Sequence, residues 1–283
     1  MSKTKLFQIG DFCFTLTYPE VITPPDNFML FEVTGGRPSY SFNIEPADRI
    51  DRCRGTVAAK RENAVIFSEN GLESRLIGTE GQDDYYAYYR EISDNHAEII
   101  LAVDTIPDLK YDTVFNSLFA LERHEIAYDS LILHCAYMDH HGKAVLFSAP
   151  SGTGKSTQAD LWYKYRGKPT INGDRGLIQR TEKGWLVHGW PVCGSSGICH
   201  NISMPIRSIV MLGQAAENSI RPVCGVEAFR LLYSQITVNR WNQSHVMKAM
   251  DLIEKLLFEV PVFLLRCDIS EDAVKCLEDS LSE

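Results

Sequence analysis

Two features that mark membrane and secreted proteins are missing from this sequence of 283 residues. No apolar run approaches the roughly 20 residues that a membrane-spanning helix requires. The first five residues, MSKTK, are followed by an alternating stretch that contains Asp11, whereas a signal peptide would continue with an apolar core. We therefore expect a soluble, cytoplasmic protein that has no membrane partner.

An excess of positive charge and a regular cysteine pattern are also missing. The chain has 28 Lys and Arg against 37 Asp and Glu, which gives a formal net charge of −9. Because an acidic surface repels phosphate backbones, we expect no nucleic-acid partner. The eight cysteines include no Cys-x-x-Cys pair, so neither a zinc finger nor a disulfide framework is predicted. We expect reduced, mostly buried thiols.

The first part of the chain, residues 1–108, has the pattern of a small β-rich domain. Phe12, Phe14 and Leu16 alternate with more polar residues, as in a strand that is buried on one face. Pro24-Pro25 and Gly35-Gly36 are turn signals that separate such runs. Further strands are predicted at residues 28–33, 40–44, 64–68, 85–89 and 99–103.

The second part, residues 109–283, alternates between strand and helix patterns and predicts a mixed α/β domain. A helix is predicted to begin at Asp112 and to continue to Ile126. Strands are predicted at 131–138, 144–148, 170–172, 176–179, 185–187, 208–212 and 260–265. A helix is predicted at 155–165, and two amphipathic helices follow in the last third of the chain.

The strongest chemical signal is the sequence APSGTGKST, from Ala149 to Thr157, between an apolar strand and a helix pattern. This is the context of a P-loop (Walker A) motif, whose backbone amides bind phosphate. Ala149 replaces the usual first glycine, and the rest of the motif is intact. We predict ATP and Mg²⁺ as cofactors. The alternative is an ordinary strand-to-helix turn. The predicted nucleotide-binding residues are Ser151, Gly152, Thr153, Gly154, Lys155, Ser156 and Thr157.

Three segments in series suggest a family. They are LILHC (131–135), GKAVLFSAPSGTGKS (142–156) and INGDRGLI (171–178). In this order they resemble the C-terminal domain of HPr kinase/phosphorylase and, more loosely, phosphoenolpyruvate carboxykinase. The resemblance covers roughly residues 110–283. It implies a P-loop kinase fold of that type, preceded here by the β-rich region.

Two departures from that family narrow the expected activity. The family usually carries paired aspartates after the loop helix, and here Asp174 is followed by Arg175. Its Glu-x-Arg-Gly signature is replaced by Leu186-Val-His-Gly189. We therefore expect neither HPr as acceptor nor the reverse reaction. The chain looks like HPr-kinase-related proteins that accompany peptide-modification or amino-acid-metabolism enzymes. That likeness implies transfer of the γ-phosphoryl group to a hydroxyl, commonly of serine, on a peptide, protein or small molecule.

Each predicted catalytic residue has a structural alternative. Lys155 is expected to pair with the β and γ phosphates, and Ser156 to bind the metal. Asp174 is expected to bind the metal or to act as the base for the acceptor hydroxyl, or else to be a turn aspartate. His134 would orient Asp174 or a phosphate, or be a hydrogen-bonded core histidine. Arg175 would neutralise the transferred group, or form a surface salt bridge.

A short loop further along is a weaker candidate. The sequence Gly194-Ser-Ser-Gly197 follows a predicted strand that ends near His188. Small residues there suggest close backbone approach to a substrate, a mobile lid or a plain turn.

Two functions from different classes remain open on the sequence, beside a third option of simple ATP hydrolysis coupled to a conformational change. The first is an ATP-dependent kinase acting on a hydroxyl group. The second is a non-catalytic nucleotide-binding regulator or partner subunit of a peptide-modification system, which the single Asp174 motivates. The acceptor, the nucleotide preference and a homo-oligomeric state are left open.

Overall fold

The computed structural model describes residues 1–50, 55–79 and 84–281, and the chain forms two compact units, Met1–His124 and Glu125–Glu283. The boundary expected at residue 108 falls inside the first unit. The reason is aromatic packing: the ring centroids of Phe115 and Phe119 lie 4.8 and 5.4 Å from that of Phe28. Within the described ranges, no helix is long and apolar enough to cross a membrane.

The first unit is built on an eight-stranded mixed sheet. Its strands are β1 (Ser2–Ile9), β2 (Phe12–Pro19), β3 (Tyr40–Ala47), β4 (Thr56–Arg61), β5 (Ala64–Glu69), β6 (Leu72–Gly78), β7 (Tyr85–Ser93) and β8 (His96–Ala102). They lie in the order β1-β2-β3-β8-β7-β6-β5-β4. The β2–β3 and β3–β8 pairs are parallel and the others antiparallel. Phe12, Phe14 and Leu16 are buried, as their alternation predicts.

The strand predicted at residues 28–33 is wrong in its first half. The segment begins as a short helix, α1 (Asp26–Met29), and a turn, and only its end pairs with β1, through an isolated bridge between Glu32 and Phe7. The carbonyl of Pro25 accepts hydrogen bonds from the amides of Phe28 and Met29, which sets the helical turn. Phe28 packs on the ring of Phe7 with centroids 4.9 Å apart. A short apolar run can be a buried turn as well as a strand, and periodicity does not separate the two.

The helix predicted from Asp112 to Ile126 is divided in two. A 3-10 helix at Val103–Lys110 precedes α2 (Asp112–Ser117), and α3 (Leu121–Glu125) follows. Ala120 lies between them with φ 49°, in the left-handed region. This conformation interrupts a helix, so the shared apolar face belongs to two short helices.

The second unit is built on a nine-stranded mixed sheet. Its strands are β9 (Ser130–His140), β10 (Lys143–Ser148), β11 (Thr170–Asn172), β12 (Arg175–Thr181), β13 (Gly184–His188), β14 (Met204–Gln214), β15 (Ser219–Pro222), β16 (Ile236–Thr237) and β17 (Val262–Cys267). The main order is β10-β9-β12-β13-β14-β17-β15, and β11 and β16 also pair with β9. β14 pairs in parallel with both β10 and β17.

Helices cover both faces of this sheet. They are α4 (Lys155–Arg166), α5 (Gly225–Tyr233), α6 (Gln243–Glu259) and α7 (Glu271–Leu281). Val145 and Phe147 of β10 belong to one core with residues of α4 and α7. Leu146, between them, belongs to a second core with residues of α5 and α6. Alternate side chains therefore enter opposite cores, which explains why β10 is apolar throughout.

The cysteines agree with the expectation of free, mostly buried thiols. Seven lie in the described part of the chain, all of them free, and five of these are buried. Cys53 lies outside the described residues.

Candidate functional site

A glycine-rich loop, defined here as Ala149–Gly154, joins β10 to α4. Gly152 has φ 77° and Gly154 has φ 112°, both in the region that side-chain-bearing residues rarely adopt. The loop leads directly into the N-terminus of a 12-residue helix. First-turn amides of such a helix have no intrahelical partner and favour an anion. The backbone therefore has the geometry that phosphate-binding loops use.

Lys155 begins α4 and folds back over this loop. Its side chain is buried, and Nζ donates hydrogen bonds to the carbonyls of Ala149 at 3.0 Å and Pro150 at 3.3 Å. Burial lowers the pKa of Lys155, although the charge of Asp174 opposes this shift. The ammonium group is thus held over the loop by weak neutral acceptors, which an anion could replace.

The next residue joins the loop helix to the aspartate turn. Ser156 Oγ donates a hydrogen bond to the carbonyl of Gly173 at 3.1 Å. Ser156 and Thr157 are partly exposed, as are Thr153 and Gly154. Except for the buried Lys155, the nucleotide-binding residues predicted from sequence are thus at least partly exposed, and Ser156 contacts the residue before Asp174.

Asp174, His134 and Arg175 lie together in one cluster. Arg175 is opposite His134 in the antiparallel pairing of β12 with β9. His134 Nε2 lies 3.6 Å from Asp174 Oδ1, and Arg175 Nε donates to Asp174 Oδ2 at 3.1 Å. Burial raises the pKa of Asp174, but its interactions with His134 and Arg175 outweigh burial and hold the pKa below the ordinary value. Asp174 is therefore ionised at neutral pH.

Asn172, which the sequence did not single out, fixes the position of Asp174. It is fully buried, and its Oδ1 accepts the backbone amides of Asp174 at 2.9 Å and Arg175 at 3.0 Å. Its Nδ2 donates to the carbonyls of Trp190 at 2.9 Å and Val192 at 3.2 Å. An asparagine two residues before an aspartate, with glycine between them, is typical of such an Asx turn.

The loop Gly194-Ser-Ser-Gly197 packs directly on this turn. Gly194 has φ 58°, and a Cβ there would lie 3.1 Å from Asp174 atoms. A Cβ at Gly173 would lie 1.9 Å from Ser196 Oγ. The amide of Gly173 also donates to the carbonyl of Ile198 at 3.3 Å. The close approach that the structure shows is to Asp174, whereas the sequence predicted an approach to a substrate.

Two histidines away from the turn have structural partners. His188 bonds Ser203 Oγ through Nδ1 at 2.7 Å, and its carbonyl accepts from the Tyr137 hydroxyl at 3.2 Å. His140 is buried against Trp162, with ring centroids 5.6 Å apart. Neither contact involves a residue of the Asp174 cluster.

The site supplies few metal ligands of its own. Among the residues that the structure describes, no three His, Cys, Asp or Glu side chains are grouped as a metal site. Mg²⁺, however, commonly uses one or two protein oxygens and takes its other ligands from phosphate and water. Ser156 and Asp174, joined through Gly173, are the residues here that fit this pattern.

Comparison with known proteins gives the family. The family model described as ScmC, SynChlorMet cassette protein ScmC, matches residues 104–279, which is more than half of the chain. The chain belongs to the ScmC family. All residues of the site described above lie within the residues that the family model matches. No curated protein matches this ScmC family member.

A solved structure gives a weaker likeness. The Hpr(Ser) kinase/phosphatase from Coxiella burnetii is 11% identical, with a TM-score of 0.31. The match covers 53% of this chain and 87% of that one. The structure itself shows a mixed α/β fold with two mixed sheets, and a likeness to HPr kinase stays a prediction.

Proposed function

We propose that this ScmC family member is an ATP-dependent kinase that transfers the γ-phosphoryl group to a hydroxyl of a peptide, protein or small molecule, with serine as the favoured acceptor. One observation carries the proposal: the glycine-rich loop and the Asp174 cluster adjoin through the hydrogen bond from Ser156 to Gly173. This contact supports the proposal because phosphoryl transfer needs bound phosphates beside a carboxylate, and the glycine-rich loop and Asp174 would supply these two parts.

Binding would begin at the loop backbone and Lys155. When bound, ATP would supply the phosphoryl group and Mg²⁺ would neutralise its charge. The free amides at the start of α4 would donate to phosphate oxygens. Lys155 would exchange its carbonyl acceptors, Ala149 and Pro150, for phosphate oxygens, which form stronger charge-assisted hydrogen bonds. Ser156 Oγ and an Asp174 oxygen would hold the metal.

In the alternative, Ser156 and phosphate oxygens would hold the metal, and the proton of the acceptor hydroxyl would pass to Asp174. Its low pKa keeps the carboxylate ionised, and His134 and Arg175 contact one oxygen each. His134 would hold the carboxylate in place. Arg175, whose side chain is partly exposed, would turn towards the transferred group and neutralise its charge.

The test is transfer from γ-labelled ATP in the presence of Mg²⁺ to serine-containing peptides and to free serine. We expect labelled acceptor with the wild-type protein. Asp174→Asn should lower the rate by about 10²- to 10⁴-fold while retaining ATP binding, because it removes either the proton acceptor or a ligand of the metal. Asp160→Asn is the matched control, since Asp160 is an exposed carboxylate on α4. Equal rates for the two variants would contradict the assignment of Asp174.

The second candidate is a nucleotide-binding regulator or partner subunit that does not turn over ATP. The observation that favours it is that both oxygens of Asp174 already contact His134 and Arg175. If this function is the correct one, the protein binds ATP but produces no labelled acceptor. It then forms a nucleotide-dependent complex with an enzyme of the peptide-modification system. Size-exclusion chromatography of that pair with and without ATP distinguishes it from the kinase.

A further inference from the structure

Three parallel strands of the second unit end at one edge of the sheet. Ser148, the last residue of β10, is level with Met211 of β14, and Gln214 at the end of β14 is level with Cys267 at the end of β17. The segments that follow these strands therefore lie in a row. Carboxyl ends of parallel strands are where α/β proteins bind ligands. The glycine-rich loop is only the first member of this row.

The two later segments are attached to the loop and to its helix. Gln214 Nε2 lies 3.5 Å from the carbonyl of Gly152 and 3.4 Å from that of Thr153. Gln158, buried on α4, donates through Nε2 to Cys267 Sγ at 3.1 Å and to the carbonyl of Asp268 at 3.3 Å. A molecule bound at the loop would thus have residues 214–218 and 268–270 as its neighbours.

The turn at residues 268–270 is closely held by its own polar groups. Asn218 accepts the amide of Asp268 at 3.0 Å and donates to its Oδ1 at 3.0 Å. Ser270 Oγ donates to the same Oδ1 at 2.5 Å. Between these anchored residues, Ile269 is 76% exposed. A large aliphatic side chain is therefore presented to solvent by a turn that fixes its position.

The direction of a bound nucleotide follows from the neighbours of β10. On one side lies β9, which carries His134 and pairs with β12 at Arg175. On the other side lies β14, followed by β17. Because Asp174 is on the β9 side, the reacting phosphate has to point that way. The nucleoside then extends towards β14 and β17.

We propose that the nucleoside lies over residues 214–218 and 268–270, with Ile269 against a face of the base and the Gln214 amide at its polar edge. Nucleotide pockets combine apolar surface with a few placed polar groups, and these two side chains supply one of each. The inference rests on the proposed function, because it takes the triphosphate to be bound at the glycine-rich loop.

The experiment compares ATP with tripolyphosphate, which has the phosphates and lacks the nucleoside. Calorimetry in the presence of Mg²⁺ gives both dissociation constants. Ile269→Asp should weaken ATP binding about tenfold, because it removes an apolar contact of the base, and should leave tripolyphosphate binding unchanged. Ile269→Ala should have a smaller effect in the same direction. Gln214→Ala should change the ratio of the ATP and GTP dissociation constants.

A matched control is Val226→Asp, since Val226 on α5 is also aliphatic and 69% exposed. It should change neither dissociation constant. If Ile269→Asp weakens both ligands equally, or neither, the nucleoside site is wrong while the proposed function stands. If the wild-type protein binds neither ATP nor tripolyphosphate, the proposed function itself is wrong.

Discussion

Each of the two units contains a cluster of acidic and basic side chains, and the two clusters differ in how far they are exposed to solvent. In the first unit the cluster comprises Glu73, Arg75, Glu91, Glu122 and Arg123, which we call the buried ion network. In the second unit it comprises His134, Asp174 and Arg175. The side chains of Glu73 and Arg75 are 5% and 10% exposed, whereas those of Asp174 and Arg175 are 24% and 37% exposed. The first cluster is therefore largely buried, and the second is partly exposed to solvent.

The ion pairs are also shorter in the buried ion network than in the cluster around Asp174. Arg75 lies 2.6 Å from both Glu73 and Glu122, and Arg123 Nε lies 2.5 Å from Glu91. Burial lowers the pKa of Arg75, but the neighbouring glutamates outweigh it and raise the pKa. In the second cluster the distances are 3.1 and 3.6 Å. Removing one partner of a buried ion pair is strongly destabilising, whereas an exposed pair contributes little to stability.

The largest effect is expected from breaking the buried ion network. Arg75→Met should lower the free energy of unfolding of the first unit by about 3–5 kcal/mol, because Glu122 loses this ion-pair partner and the buried Glu73 is left with the longer contact with Arg123, at 3.5 Å. Urea denaturation of the full chain measures this. Arg90→Met is the matched control, since the Arg90–Glu98 pair is exposed and should contribute at most about 1 kcal/mol. If both variants lose a similar amount of unfolding free energy, burial does not distinguish the contribution of the Arg75 pairs from that of the exposed Arg90–Glu98 pair.

A smaller effect is expected from releasing the Asp174 turn. Asn172→Ala removes the acceptor of two amides and should lower kcat for phosphoryl transfer about 10- to 100-fold, because a displaced Asp174 is no longer aligned. KM for ATP should change much less. Asn172→Ser should restore part of kcat, since a serine hydroxyl can also accept in a turn.

The control for this variant is another asparagine whose side chain accepts a backbone amide, at a position away from the site. Asn242 accepts the amide of His245 at 3.2 Å and caps α6. Asn242→Ala should cost about 1 kcal/mol of stability without changing kcat. If both variants lose stability and neither loses kcat, Asn172 is a structural residue only.

The smallest effect is expected from the charge beside Asp174. Arg175 helps to keep the pKa of Asp174 low, so Arg175→Gln should raise that pKa. The acid limb of the pH profile of kcat/KM should then move to higher pH. The stability that ionised Asp174 provides, which is lost as pH falls through its folded-state pKa, should be lost at higher pH too. Arg180→Gln, at an exposed pair with Glu259, should leave the profile unchanged. A shift to lower pH would contradict the role given to Arg175.

Much of the second unit could be predicted because its signals are local. An apolar run followed by Gly-x-Gly-Lys-Ser predicts β10, the loop and α4, and these form as expected. The pairing of His134 with Arg175 could not be derived from spacing, since register between distant strands depends on the whole sheet. Asn172 has a local turn signal, but its bonds to Trp190 and Val192 are visible only in the fold.

The first unit shows where local patterns fail. The run at residues 28–33 is apolar enough for a strand. Phe28 nevertheless lies in a helical turn, and its ring is buried among other aromatic rings. The end of the unit is set by Phe115 and Phe119 packing on Phe28, nearly 90 residues earlier in the chain. Long-range aromatic packing of this kind has no signature within a short window of sequence.

The most direct measurement of the central claim is calorimetric titration of the protein with ATP and Mg²⁺, alongside Lys155→Ala and the exposed control Lys164→Ala on the same helix. We expect the wild-type and Lys164→Ala proteins to bind with the same dissociation constant. Lys155→Ala should bind about 10- to 100-fold more weakly, because a charged hydrogen-bond donor to the phosphates is lost. Absence of binding by the wild-type protein, or equal binding by all three, would contradict the account.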